Sequence, residues 1–186
     1  MSSLVAFGCS QTYGHGLPDC VNPNDTDCLP SSYAWPALLY GENLAEPGGS
    51  NKLAVYRALN YAWKPNDIAV FAWTYHNRSS IIGKTTKNLG TWPSVDPVVK
   101  SWRHFVAVAN DPQNFYWDTM LYVDYIKLKL PVRSFHFTVD TAMQEYKWDG
   151  PCLDTLKVDT ALDDLHYGIQ THRAIADLVS QAIDAN

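Results

Sequence analysis

The stretch Leu4-Val5-Ala6-Phe7-Gly8-Cys9-Ser10-Gln11-Thr12-Tyr13-Gly14 decides how the rest of the chain is read. Four apolar residues run without a polar interruption and stop at Gly8, the pattern of a short parallel strand covered on both faces. Gly8, Ser10, Thr12 and Gly14 then follow at alternate positions. In open parallel sheets functional groups collect beyond the carboxyl ends of the strands, so Ser10 stands where a reactive side chain is expected. Taken alone it reads first as a turn or helix-cap serine.

Working outward, residues 17–32 are rich in Pro, Asp, Asn and Cys and read as a loop on the rim of a site. A short helix is expected over 33–40, where Pro36 is tolerated only near the first turn. A short strand is expected over 43–45, then a Gly48-Gly49 turn and a helix from Ser50 or Asn51 through 63. Residues 68–73, Ile-Ala-Val-Phe-Ala-Trp, form the second buried-strand pattern. Residues 75–97 read as a loop or short excursion, 98–109 and 111–130 as helices, 132–139 as a strand, 141–162 as mostly loop and 169–183 as the closing helix. Short apolar strands alternating with helices predict an α/β fold, a three-layer α/β/α sandwich around a central, mostly parallel sheet.

The 186 residues fit one domain spanning 1–186. A net charge of −5 and the lack of any long basic run argue against a nucleic-acid surface. No run approaches the ~20 apolar residues of a membrane span. The N-terminus lacks a basic region and reads as a first strand rather than a secretory signal, so an intracellular place is expected, with association in a larger assembly left open. Cys9, Cys20, Cys28 and Cys152 do not form closely spaced Cys/His pairs for zinc and are read as free thiols, a Cys20–Cys28 bridge remaining the alternative.

The chemistry rests on a second stretch, Asp163-Asp164-Leu165-His166. A serine needs a base to become a nucleophile, and an imidazole held in one tautomer by a carboxylate supplies it near neutral pH. The three-residue spacing lets one helical-type turn orient Asp163 and His166 together. Gly48, before a helix N-terminus, and Thr74, after the strand ending at Trp73, are candidate donors to an oxyanion; each also reads as an ordinary turn or strand-end residue. Asn77 and Arg78 follow as candidate substrate contacts.

The pattern resembles the SGNH, or GDSL-like, serine hydrolases. The first block of that family, Gly-Asp-Ser followed by Thr and Gly, is matched by Gly8, Ser10, Thr12 and Gly14, with Cys9 replacing the Asp. Its last block, Asp-x-x-His, is matched by Asp163 and His166, and its second-block glycine by Gly48. Thr74 occupies the position of the third-block Asn. The resemblance implies a flavodoxin-like sheet, Ser10, Asp163 and His166 as the catalytic residues, and an oxyanion hole from Ser10, Gly48 and Thr74. It implies hydrolysis of carboxylic esters with no cofactor. Tyr13, Tyr33, Trp35, Trp73, Tyr75 and Trp92 offer stacking surfaces, favouring a small-molecule or carbohydrate ester such as an O-acetyl sugar; Tyr13, Trp73, Asn77 and Arg78 are the candidate substrate contacts. The main alternative is a catalytically weak or silent module of the same fold, consistent with the Cys9 and Thr74 departures. A metal hydrolase is disfavoured because His166 and His172 lack the i,i+4 spacing of a zinc helix. A flavin or dinucleotide domain is disfavoured because 8–14 lack a Gly-x-Gly-x-x-Gly loop.

Overall fold

The computed structural model describes residues 3–21, 28–109 and 112–185. Four parallel strands form the central sheet in the order β2-β1-β3-β6: β1 is Leu4–Phe7, β2 Glu42–Asn43, β3 Ile68–Trp73 and β6 Arg133–Thr138. Phe7 pairs with Phe71, and Phe71 with His136, so the strands end in step and their following loops meet along one edge.

Side chains alternate across a strand, so each apolar run feeds two cores. Ala6, Val70, Ala72, Phe135 and Phe137 face Trp35 of α2 (Trp35–Leu38) and Ile175, Ala176 and Val179 of α6 (Ile169–Asp184). Val5, Phe7, Ala69, Phe71 and Trp73 face Ala54, Val55 and Ala58 of α3 (Asn51–Leu59) and Val123 and Ile126 of α5 (Pro112–Lys129). Helices therefore cover both faces, the three-layer α/β/α sandwich expected of the strand-helix alternation. The short helix α1 (Ser10–Tyr13) follows β1 directly, and α4 (Pro97–Ala109) precedes α5.

Several boundaries differ from the sequence expectation, each for a local reason. The second strand is Glu42–Asn43 rather than 43–45, because Asn43 Oδ1 takes the Ala45 N–H and turns the chain. The helix at 33–40 shrinks to Trp35–Leu38, closed off by Tyr40 in the left-handed region at φ 54°. The helix expected through 63 stops at Leu59; Asn60 Nδ2 donates back to Tyr56 C=O, and Trp63 Nε1 donates to Ala58 C=O. Its start is as read, with Ser50 Oγ accepting the Leu53 N–H. The excursion over 75–97 contains an antiparallel hairpin, β4 (Ser79–Ile81) and β5 (Lys87–Leu89). Its strands are too short and polar to show periodicity, and buried side-chain bonds pin it: Ser80 Oγ to Asn88 Oδ1 at 2.8 Å and Ser50 Oγ to Ser80 Oγ at 2.7 Å.

No helix among the described residues is long and apolar enough to cross a membrane. Cys9 and Cys152 are buried thiols, while the sulfurs of Cys20 and Cys28 lie 2.7 Å apart.

Candidate active site

Ser10 opens α1 at the carboxyl end of β1 and is 6% exposed. Its N–H donates to nothing among the described residues, as expected at a helix start, whereas its C=O accepts from Gly14 and His15. The two distant stretches singled out in the sequence lie side by side. Gln11 Oε1 accepts the Tyr167 N–H at 3.0 Å, Leu162 N–H donates to Gly16 C=O at 3.0 Å, and the rings of His15 and His166 stack with centroids 4.4 Å apart. Glycine at 16 permits this approach: its φ is +83°, and a Cβ there would come within 2.8 Å of the Asp163 carboxyl carbon.

Asp163 and His166 meet, though not through a helical turn. Asp164 sits in the left-handed region at φ 58°, and Asp163 Oδ1 collects the backbone N–H groups of Leu165 (3.1 Å) and His166 (3.0 Å). The other oxygen contacts His166 Nδ1 at 2.6 Å. Partial burial works against the Asp163 charge, but the His166 and Leu165 donors outweigh it and hold the carboxyl at about 2. An ionised Asp163 on Nδ1 fixes the ring so that Nε2 is the free, basic nitrogen. Ser10 Oγ and His166 Nε2 each have no hydrogen-bond partner among the described residues, so the two are not bonded to each other.

The Gly48 turn reaches the same edge. Glu46 N–H donates to Gly8 C=O at 3.2 Å, and Asn43 Nδ2 to Thr12 C=O at 2.9 Å. Gly48 adopts φ +71°, and its N–H has no partner among the described residues.

Thr74 follows β3 and is buried. Asn51 holds its backbone from both sides, Oδ1 accepting the Thr74 N–H at 2.7 Å and Nδ2 donating to its C=O at 3.0 Å. Arg78 Nη1 donates to Thr74 Oγ1 at 3.2 Å, which leaves the hydroxyl proton free to point elsewhere. The guanidinium lies 4.7 Å from the Tyr75 ring centroid and 5.5 Å from that of Trp92, and a Cβ on Gly48 would lie 3.5 Å from Trp92. Gly48, Trp92, Arg78 and Thr74 thus form one continuous wall.

Three sequence candidates are engaged elsewhere. Trp73 is 1% exposed, stacked on Phe71 and His136 inside the core, so it offers no surface to a ligand. Its position at the end of a strand buried on both faces is the reason. Tyr13 donates its hydroxyl to the Cys28 C=O, tying α1 to the backbone at Cys28; part of the loop expected over 17–32, residues 22–27, lies outside the described residues. Asn77 lends its C=O to Trp102 Nε1 at 3.1 Å.

Sequence reasoning passed over two arrangements. His15 stands beside His166 although it is remote in the chain. A second His–Asp pair, His76 Nδ1 with Asp140 Oδ2 at 2.5 Å, joins the loops after β3 and β6. Burial works to raise the Asp140 carboxyl, and hydrogen bonds from His76 override it and hold it low. Each His follows a motif or strand end, but nothing in a single sequence tells which carboxylate meets it.

No protein-family model and no curated protein sequence matches the chain. Among solved structures it is similar to the phospholipase A1 of Streptomyces albidoflavus NA297, with 14% identity and a TM-score of 0.42 over 99% of this chain and 74% of that one. It is also similar to the extracellular lipase of Streptomyces rimosus, with 11% identity and a TM-score of 0.41 over 98% of this chain and 100% of that one.

Proposed function

We propose that this protein is a serine esterase working through an acyl-enzyme, with Ser10 as nucleophile and His166 as general base. The observation that carries this reading is the 2.6 Å contact of Asp163 with His166 Nδ1, held against the segment that begins with Ser10. Nε2 takes the Ser10 proton as Oγ attacks the ester carbonyl. Asp163 stabilises the imidazolium and remains ionised. The developing oxyanion faces the N–H of Ser10, the N–H of Gly48 and the Thr74 hydroxyl, the first two being donors with no partner of their own. His166 then gives its proton to the leaving alcohol and activates water for deacylation. Closing the gap between Ser10 and His166 belongs to substrate binding, since catalytic hydrogen bonds are commonly loose in an empty site.

Small acyl esters of carbohydrates suit the wall built from Tyr75, Arg78 and Trp92, where aromatic faces and a guanidinium are presented together. The unmade Ser10–His166 bond favours one second reading, a fold that binds such ligands without turning them over. A fluorophosphonate probe separates the two. Stoichiometric labelling of the wild type, lost in Ser10→Ala, together with faster release of acetyl than of long acyl groups, is the expected result. A folded wild type that resists the probe overturns the esterase reading.

A further inference from the structure

His15 has no hydrogen-bonding role for its ring among the described residues, yet it is stacked on the one imidazole that the proposed reaction uses. One ligand atom each from His15, Asp163 and His166 can be chosen so that all lie within 4.8 Å of one another, and all three side chains are partly open to solvent. Two imidazoles and a carboxylate with an open fourth position are the ligand set of a zinc site with exchangeable water. Zinc bonds of about 2.0–2.2 Å place tetrahedral ligands roughly 3.3 Å apart, so the three groups need to close by only about 1.5 Å.

The frame that holds them is already in place. Leu162 N–H to Gly16 C=O, at 3.0 Å, ties the His15 loop to the Asp163 loop, and Ala161 N–H to His166 C=O, at 3.0 Å, closes the turn carrying the other two ligands. His172, the histidine nearest in sequence to His166, takes no part: its Nδ1 accepts the Trp35 N–H at 3.1 Å inside the core.

We propose that His15, Asp163 and His166 form a binding site for a divalent transition-metal ion of the zinc type, and that its occupancy switches the esterase off. The site itself follows from the three ligands; the inhibition rests on the function proposed above. Either mode of His166 coordination removes the base. A metal on Nε2 occupies the nitrogen that receives the serine proton. A metal on Nδ1 replaces the hydrogen bond to Asp163, whose carboxylate then binds the metal, and leaves the proton on Nε2, where it blocks acceptance.

Titration of the chelator-treated protein with zinc chloride by calorimetry, and with cobalt(II) by its visible absorption, tests the site without reference to activity. One ion per chain is expected, with affinity at least tenfold weaker in His15→Phe, which keeps a ring to stack but has no ligand atom. His15→Gln serves if the Phe variant does not fold. Ser10→Ala is expected to bind zinc as the wild type does while hydrolysing nothing, and zinc is expected to inhibit the wild type but not His15→Phe. Undiminished metal affinity in both His15 variants, or no stoichiometric binding to the wild type, overturns the proposed site. Binding with the expected His15 dependence in a protein that hydrolyses no ester keeps the site and rejects the esterase reading instead.

Discussion

Gln11 Oε1 accepts the backbone N–H of Tyr167 at 3.0 Å, joining the residue after Ser10 to the residue after His166. Both groups are buried, Gln11 at 8% and Tyr167 at 1% exposure, so the bond is made where an unpaired donor is costly. With the Leu162 N–H to Gly16 C=O bond it holds the Ser10 and His166 segments in a common frame.

Gln11→Leu should therefore do more than remove one hydrogen bond. The Tyr167 N–H would be left buried and unpaired, costing about 1–3 kcal/mol. Urea unfolding measures this loss, and ester hydrolysis under conditions where the variant stays folded should fall further than for Gln11→Glu, whose carboxylate still accepts. Equal activity in both variants would mean that the link does not position the base.

Asp163→Asn separates charge from scaffold. An Asn oxygen still accepts the Leu165 and His166 N–H groups that Oδ1 now receives, so the turn should survive. Its amide faces His166 Nδ1 as a donor and favours the wrong tautomer, and a loss of about 10³–10⁴ in kcat is expected. Near-ultraviolet circular dichroism checks that the fold is unchanged, and a loss below tenfold would remove Asp163 from the reaction.

The Thr74 hydroxyl and Arg78 should behave as a unit. Thr74→Val deletes the candidate oxyanion donor with little change in shape, and a loss on the order of a hundredfold in kcat, about 3 kcal/mol, is expected. Thr74→Ser should retain most activity. Arg78→Leu leaves the hydroxyl but removes the group that fixes it, so its effect and that of Thr74→Val should fall well short of additive in the double variant.

Acid stability should expose two neutral histidines. Burial pushes His136 down to about 3, and Lys127 adds to it; burial likewise brings His172 down to about 4 against the opposing pull of Asp159. In the unfolded chain both protonate near 6.5. Between pH 6.5 and about 4 the unfolded state binds more protons than the folded one, so these groups leave stability intact above 6.5 and erode it as pH falls through that window. His172→Gln, which keeps an acceptor for the Trp35 N–H, should flatten the dependence of Tm on pH between 6.5 and 4. An unchanged slope would show that His172 is already protonated in the fold.

Much of this molecule was legible in one dimension. Residues 4–7 and 68–73 announce strands buried on both faces because their apolar runs admit no solvent-facing position, and the observed strands are Leu4–Phe7 and Ile68–Trp73. The pairing of Asp163 with His166 was also legible, since three residues bound the distance between them whatever the turn. The turn itself was not: a left-handed Asp164 is chosen by what the loop packs against, and no propensity encodes that. The hairpin at 79–89 escaped for a related reason, because its strands are specified by the buried Ser50, Ser80 and Asn88 contacts rather than by periodicity.

What the sequence determined by itself is therefore local: the buried strands at 4–7 and 68–73, the Ser50 cap, and the presence of a serine, an aspartate and a histidine at turns after or beside sheet elements. What only the tertiary structure decided is which remote groups share a space. It set His15 against His166, Arg78 on Thr74 and His76 on Asp140, and it withdrew Trp73 into the core. The physical reason is that side-chain encounters across a sheet edge depend on strand order and on the orientation of each loop. Those are fixed when the two cores close on the sheet, and residues separated by most of the chain carry no spacing from which to read them.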